Sequence, residues 1–213
     1  MTTLNTTKAS PSNSLTVSKI IDVFLRFTKD YVYVFAILLL GAVFAVLEPE
    51  YFLTWKNMTN ILLQASTIAI VAIGQAIVLT TGQFDLSLGQ IVCVTSIIGA
   101  ILMKTYGMNT WLALLIVILL GALLGITNGV LFAYCGIPAF IATLGIQNIC
   151  RGTAKLITNA TPIARMPKDM AFIGRGYVGP IPVSVIIMIV IYIVIQFISQ
   201  KTKLGRNFYA IGA

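Results

Sequence analysis

The chain of 213 residues is strongly apolar, since 58% of its residues are hydrophobic and only 9% are charged. Soluble domains carry about 25% charged residues, so the composition indicates an integral membrane protein. The formal net charge of +8 does not point to nucleic acid, because the basic residues are scattered along the chain and not gathered on one face. We therefore expect membrane lipid, and no nucleic acid, as a partner.

The first thirty residues are polar and amphipathic, without the short apolar core and cleavage site of a signal peptide. Their charged and apolar residues fall on opposite faces at helical spacing: Lys19, Asp22, Arg26 and Lys29 against Ile20, Phe24 and Phe27. This pattern favours a helix lying in the membrane interface, and a plain solvated lead-in is the alternative. We expect residues 1–30 to form a cytoplasmic tail.

Six apolar segments approach the roughly 20 residues that are needed to cross a bilayer core of about 30 Å. They lie at about 31–47, 61–80, 86–103, 111–134, 137–157 and 181–198. The fifth contains Gln147, Asn148, Arg151 and Lys155, which favours either a helix with its polar face against protein or a re-entrant segment. The sequence therefore predicts an all-α, polytopic transmembrane helical bundle over residues 31–198, with about six spans and with broken or re-entrant segments.

Basic residues flank both ends of this region. They are Lys8, Lys19, Arg26 and Lys29 before the first segment, and Lys201, Lys203 and Arg206 after the last. The positive-inside bias then predicts that both termini are cytoplasmic, which an even number of spans satisfies. Arg165, Lys168 and Arg175 would lie outside, against this bias.

A polar, glycine-flanked interruption with a single carboxylate, residues 81–89, separates the second and third segments. Backbone groups freed by such a break must lie at an interface, be surrounded by protein, or line a wet cavity, which indicates a transport protein. Asp85 is a candidate substrate contact, and equally a carboxylate at the start of the following helix. Ser87 and Gln90 have the spacing of a capping box, which favours the second interpretation. At about 1.5 Å per residue from Ile61, the break would lie near the inner face.

Three glycines and an amide mark the fourth segment. Gly121, Gly125 and Gly129 fall four residues apart, a spacing that lets two helix backbones approach closely, although glycine is also simply tolerated in membrane helices. Asn128 lies beside this stripe, and an amide in hydrocarbon needs a partner helix or water. We expect a helix-packing role for the glycines.

Several kinds of chemistry are disfavoured by what the sequence lacks. Histidine is absent, which removes His-based zinc sites and Ser-His catalysis. No Walker-type motif occurs, so if transport is driven by ATP, another subunit must bind it. Cys93, Cys135 and Cys150 lie in or beside apolar runs and are expected to be small buried hydrophobic residues. We predict no catalytic residue, metal or cofactor in this chain, and not an enzyme.

Four stretches, in order, carry a resemblance to a known family. Residues 81–89, TGQFDLSLG, resemble the TGGIDLSVG signature of the permease subunits of ribose-type bacterial ABC sugar importers. Asn128-Gly129, IPAFIATLG at 137–145 and the run RG…TN…P at 151–162 resemble later family motifs. Residues 202–212, TKLGRNFYAIG, are similar to the family's T-K/R-x-G-R-x-x-Y-A-I-G loop.

The resemblance implies a subunit in the bacterial inner membrane that imports a monosaccharide, a ribose-like sugar or related polyol, by alternating access. Its partners would be a second permease copy, cytoplasmic ATPases that bind the ATP, and an extracytoplasmic sugar-binding protein that carries most of the specificity. The candidates for a weakly polar corridor are Gln75, Asp85, Asn128 and Asn148, each of which helix–helix hydrogen bonding would equally explain. Residues 159–182 would face outward and meet the binding protein, or form an ordinary loop.

Two departures from the family pattern matter. Gln83 replaces a usual second glycine, and the family continues beyond the last motif into a coupling segment, whereas this chain ends at Ala213. Residues 199–213 would form a cytoplasmic loop, with its ATPase side at Gly205, Arg206 and Tyr209.

The alternatives are a truncated fragment that does not transport, and a secondary transporter. The latter would need coupling groups, yet Asp85 is the only acidic residue between Glu50 and Asp169.

Overall fold

Each of the six apolar segments predicted from the sequence forms an α-helix. The computed structural model describes residues 31–212, and the predicted interfacial helix within residues 1–30 lies outside the described residues. The long helices are α1 (Val32–Leu47), α3 (Trp55–Thr80), α4 (Leu88–Lys104), α5 (Thr110–Ala133), α6 (Ala139–Thr158) and α8 (Val183–Lys201). The short elements are α2 (Pro49–Phe52), α7 (Lys168–Arg175), α9 (Lys203–Gly212), β1 (Tyr177–Val178) and β2 (Ile181–Pro182).

Length and apolar composition make three of the described helices, α3, α5 and α8, able to cross a membrane, and α1 and α4 are shorter apolar helices. The prediction of a polytopic helical membrane protein is therefore confirmed. The fifth predicted segment is the continuous helix α6, without a break in its interior. Whether α6 crosses completely stays a prediction.

The chain divides after Met58 into two compact units. In the first, α1 ends at Leu47, and Pro49 begins α2, where its missing N–H and fixed φ suit a first helical position. The Phe44 and Phe52 rings stack at 5.8 Å between centroids. Asn57 Nδ2 donates to the Phe52 carbonyl at 3.0 Å, which fixes the turn between α2 and α3.

The core of the second unit lies where α4 packs against α5 and α6. Its buried cluster consists of Ile91, Val94, Ile146, Cys150 and Ala154. Cys150 is buried as predicted, but the same prediction is wrong for Cys93 and Cys135, which lie on helix and loop surfaces that no described residue covers. Gly99 allows the close approach of α4 and α5, because a Cβ there would come within 2.6 Å of Val117 Cγ2.

Residues 159–182 are more ordered than the loop expected as one alternative. They contain α7 and an antiparallel pair in which Tyr177 faces Pro182 and Val178 faces Ile181. Lys104 Nζ at the end of α4 donates to the Ala164 carbonyl at 2.5 Å, which holds this segment against α4. The segment then leads directly into α8.

The segment predicted as a cytoplasmic loop over residues 199–213 is helical over most of its length, since it contains α9, and its cytoplasmic position stays a prediction. Thr202 begins this helix: its hydroxyl donates to the Ile198 carbonyl at 2.6 Å and accepts from Gly205 N–H at 3.4 Å. Gly205 sits so tightly that a Cβ would overlap the Ser199 carbonyl. At the other end of α9, a Cβ on Gly212 would overlap the Thr80 carbonyl, so α9 returns to the end of α3.

Candidate functional site

The predicted interruption is present as a non-helical break between the end of α3 at Thr80 and the start of α4 at Leu88. The Thr81 and Gly82 N–H groups donate to the Val78 and Leu79 carbonyls at 3.0 Å, so the helix ends in a tight turn. Gly82 has φ +73°, a left-handed conformation that costs glycine little and other residues more. The chain then runs without regular structure to Ser87.

Asp85 organises the second half of the break. Its Oδ1 accepts from Ser87 N–H at 2.7 Å and from the Ser87 hydroxyl at 2.6 Å. The predicted capping box is wrong, since the Ser87 side chain makes no capping bond to the helix. The Ser87 hydroxyl donates its proton to the Asp85 carboxylate, and its oxygen accepts from Asn128 Nδ2 of α5 in place of an N–H of its own helix. The contact with Ser87 N–H agrees with the interpretation of Asp85 as a carboxylate at the start of the helix, and a role in substrate contact stays a prediction.

Asn128 of α5 joins this arrangement from the neighbouring helix. Its Nδ2 donates to Ser87 Oγ at 2.8 Å, and Ser87 is completely buried. Asn128 is itself only 7% exposed, and its Oδ1 is buried with no hydrogen-bond partner among the described residues. Ser87 thus bridges Asp85 and Asn128, with its proton toward the carboxylate and its lone pair toward the amide.

The side-chain amide of Gln75 on α3 contacts the backbone of Asp85. With its amide oriented to satisfy both groups, its nitrogen donates to the Asp85 carbonyl at 3.1 Å and its oxygen accepts from Asp85 N–H at 3.3 Å. The structure therefore brings together three of the four corridor candidates. The fourth, Asn148, is exposed on α6, where its Nδ2 donates to the Leu144 carbonyl of the same helix at 2.9 Å.

Two cavities adjoin the break, and Phe84 and Asp85 line both. The larger, of about 470 Å³, extends along α3 past Gln75. The smaller, of about 200 Å³, is bounded by Asn128 on α5 and by Ala139 in the first turn of α6. Asp85 therefore lies in the wall between two spaces, and the polar network runs through that wall.

The glycine stripe of α5 borders this site and makes no contact within it. No atom of the described residues other than near neighbours lies within 4 Å of a Cβ built on Gly121, Gly125 or Gly129. Gly125 and Gly129 line the smaller cavity. A packing role for the stripe within this chain has no support among residues 31–212, and packing against another chain stays a prediction.

The residues expected on the ATPase side lie in α9. Gly205 is buried against the end of α8, Arg206 is exposed, and Tyr209 lines a further cavity of about 140 Å³ together with Thr80. The C-terminal helix and the break therefore belong to one end of this unit. Lys104 and Ala164 mark the opposite end.

Sequence reasoning missed the part that Ser87 plays in the site. Its partner Asn128 is 41 residues away, so no local spacing reveals the contact. The available signal was the presence of two polar residues in apolar surroundings, each needing a partner. Among residues 31–212, no group of three His, Cys, Asp or Glu side chains lies close enough to hold a metal ion.

Comparison with known proteins agrees with the motifs. Over 191 residues the chain is 34% identical to the D-allose transport system permease protein of Escherichia coli strain K12, a match that covers 89% of this chain and 58% of that protein. It is 36% identical over 181 residues to the ribose import permease protein of Haemophilus influenzae, covering 83% and 55%. The autoinducer 2 import system permease protein of Photorhabdus luminescens is 31% identical over 178 residues, covering 83% and 53%.

The chain spans little more than half the length of these curated relatives. No solved structure matches it. The family model described as "Branched-chain amino acid transport system / permease component" matches residues 57–213, which include all but the first two residues of α3, the elements from α4 to α9, and the whole polar network. The resemblance drawn from the motifs is confirmed, and the chain belongs to this family of transport-system permease components.

Proposed function

We propose that this chain is the membrane-spanning permease subunit of an ATP-driven, binding-protein-dependent importer of a monosaccharide, forming half of its translocation pathway. The observation that carries the proposal is the Gln75–Asp85–Ser87–Asn128 network, which lies in a break between two apolar helices and adjoins two cavities. A polar break of this kind is stable in a membrane where it lies at an interface, is surrounded by protein or lines a wet cavity, and here protein and two cavities adjoin it. Alternating access would open the two cavities in turn.

A monosaccharide, either ribose-like or a related polyol, is the proposed substrate. The family description names branched-chain amino acids, but relatives named for D-allose and ribose import are 34–36% identical to this chain. We propose Gln75, Asp85 and Asn128 as corridor residues. Asn148 joins them as a corridor residue on the exposed face of α6, where a second permease copy would meet it.

The proposed partners supply two functions that this chain is not proposed to carry out itself, ATP hydrolysis and the capture of the sugar outside the membrane. The chain contains no Walker-type motif, so a separate cytoplasmic ATPase would bind and hydrolyse ATP, and this subunit would not be an enzyme. We propose α9, with its exposed Arg206, as part of the ATPase-facing surface. An extracytoplasmic sugar-binding protein would meet the segment with α7 and the β1–β2 pair.

We further propose a multi-pass position in the inner membrane with both termini in the cytoplasm. Lys201, Lys203 and Arg206 lie at the end of the unit that also holds the break. The opposite end carries Lys104 and Arg175, so charge alone does not determine the orientation. Labelling of cysteines from one side of the membrane tests the orientation directly.

The proposed function is tested by transport in proteoliposomes. The native protein would be purified with its ATPase, reconstituted, and supplied with its binding protein outside and ATP inside. Uptake of labelled D-ribose, D-allose, D-fructose and leucine is then compared with and without ATP. We expect ATP-dependent uptake of at least one sugar and none of leucine. Uptake driven by an ion gradient without ATP, or of leucine alone, would overturn the proposal.

A further inference from the structure

A residue that lines the smaller cavity beside the break carries a buried acceptor without a partner among the described residues. Asn128 lines this cavity of about 200 Å³, is more than nine-tenths buried, and has an Oδ1 without a hydrogen-bond partner among the described residues. A buried carbonyl oxygen left without a partner costs about 1–3 kcal/mol. A group that donates a hydrogen bond to this oxygen would recover that cost.

The direction of the hydrogen bonds explains why this oxygen stays free. An ionised carboxylate only accepts, so the Ser87 hydroxyl must direct its proton to Asp85 Oδ1. Ser87 Oγ can then only accept from Asn128, which fixes the amide with Nδ2 toward Ser87. The Asn128 oxygen is therefore turned away from the network by the charge of Asp85, and rotation of the amide would only exchange one unpaired group for another.

The rest of the cavity offers groups of both kinds. Both hydrogen bonds to the Asp85 side chain end on Oδ1, which leaves Oδ2 as a second acceptor. Ala139 lines the cavity at the start of α6, where the Ile141 and Ala142 N–H groups donate to the Pro138 carbonyl and the N–H groups of Ala139 and Phe140 are the remaining donors of the first turn. A cavity with acceptors and donors suits hydroxyl groups, which donate and accept at once. Its volume is more than ten times the roughly 10–15 Å³ that one water molecule needs.

We infer that the cavity between the break, α5 and α6 is a hydroxyl-binding subsite, in which Asn128 Oδ1 accepts from one hydroxyl group of a neutral polyhydroxylated substrate. The inference rests on the proposed function, and it specifies Asn128 Oδ1 as the contacting atom and a hydroxyl group as the part of the substrate that it binds. In the described conformation Asn128 Oδ1 is covered. Phe84 and Phe132 line the cavity and are 51% and 40% exposed, so the inference requires a rearrangement of this lining that uncovers the oxygen.

Deoxy sugars test the inference, because each lacks one hydroxyl. In the proteoliposome system, maximal uptake rates would be measured for the transported sugar and its single deoxy analogues, with the binding protein saturated so that membrane steps determine the rate. We expect native protein to transport one analogue about three- to tenfold more slowly than the parent sugar. The deoxy ratio is the uptake rate of the parent sugar divided by that of the analogue. In Asn128→Leu the ratio for this analogue should fall to less than two, while the ratios for the other analogues stay unchanged.

Two further variants separate contact from structure. Thr127→Val alters the neighbouring residue, whose hydroxyl bonds only to the Leu123 carbonyl of α5, and should keep every ratio of the native protein. Asn128→Ser keeps a polar side chain, but its oxygen is bonded to Cβ and therefore lies closer to the backbone than Asn128 Oδ1, and it serves if Asn128→Leu does not insert. It should lose the same single ratio.

The outcomes distinguish the two proposals. If native protein takes up sugar but both Asn128 variants keep all deoxy ratios, the subsite is absent while the proposed function stands. If native protein takes up leucine and no sugar, the proposed function itself fails.

Discussion

The hydroxyl of Ser66 on α3 donates to Ser184 Oγ on α8 at 2.9 Å, and both residues are buried. The two serines are 118 residues apart and tie the middle of α3 to the start of α8. The Leu63 carbonyl of the same helix lies 2.8 Å from Ser66 Oγ and is the alternative acceptor for its single proton, in which case the Ser184 hydroxyl donates to Ser66. In apolar surroundings such a pair holds two helices in register, because each hydroxyl would otherwise lack a partner outside its own helix.

Breaking this pair should destabilise the second unit. We expect Ser66→Ala and Ser184→Ala each to cost about 0.5–1.5 kcal/mol, and the double variant to cost less than the sum. Thermal unfolding of the purified protein in detergent would measure this. Ser96→Ala is the matched control, since Ser96 is exposed and bonds only to the Val92 carbonyl of α4. Additive losses would mean that the two hydroxyls do not stabilise each other.

Removing the carboxylate of Asp85 should abolish most transport without preventing insertion. Asp85→Ala takes away both hydrogen bonds to Ser87, and bonds to a charged group are worth about 1.5–3 kcal/mol, so we expect uptake to fall about tenfold or more. Membrane fractionation and sugar uptake would be measured in the same cells. Glu50→Ala, an exposed acidic residue of α2, is the control. Native uptake by Asp85→Ala would remove this residue from the mechanism.

Two glycines of α9 should not tolerate a side chain. A Cβ at Gly205 or Gly212 would overlap a backbone carbonyl, of Ser199 or Thr80, and backbone moves less readily than a side chain. We expect Gly205→Ala and Gly212→Ala each to lower stability by about 1–3 kcal/mol. Gly145→Ala in α6 has open space around its Cβ and should be neutral or stabilising. Equal melting temperatures for all three variants would contradict the close packing of α9.

Cysteine labelling should establish the orientation. Cys135 is exposed in the turn between α5 and α6, at the end of the unit that holds the break. In a Cys93→Ala, Cys150→Ala background, a membrane-impermeant maleimide should label Cys135 in inside-out vesicles and not in intact cells. Arg175→Cys, made in the same background with Cys135→Ser, should show the reverse. Labelling of Cys135 from outside would invert the proposed topology.

The long helices were predictable because hydropathy over about 20 residues is a strong local signal. The second segment was predicted to start at Ile61, whereas α3 starts at Trp55, since Lys56 and Asn57 lower hydropathy without breaking a helix. The sequence did not predict the short helices α7 and α9, because they are too short and too polar to produce a peak of hydropathy. Their position depends on contacts with α8.

The site was predictable in its residues and not in its connections. Gln75, Asp85 and Asn128 stood out as polar groups in apolar surroundings, which is a property of the sequence. Ser87 makes hydrogen bonds to Asp85 and Asn128, whereas Asn148 makes none to the other candidates. These contacts depend on which helix faces meet, and no spacing along the chain contains that information. The local capping signal at Ser87 failed for the same reason, since the Ser87 oxygen accepts from Asn128 of another helix and not from an N–H of α4.

Phe84 and Asp85 line both cavities, and both residues belong to the break. One short stretch of non-helical chain therefore shapes two spaces that lie beside different helices, α3 on one side and α5 with α6 on the other. A substitution at either residue alters both spaces together, so the two cavities cannot be varied independently through the break.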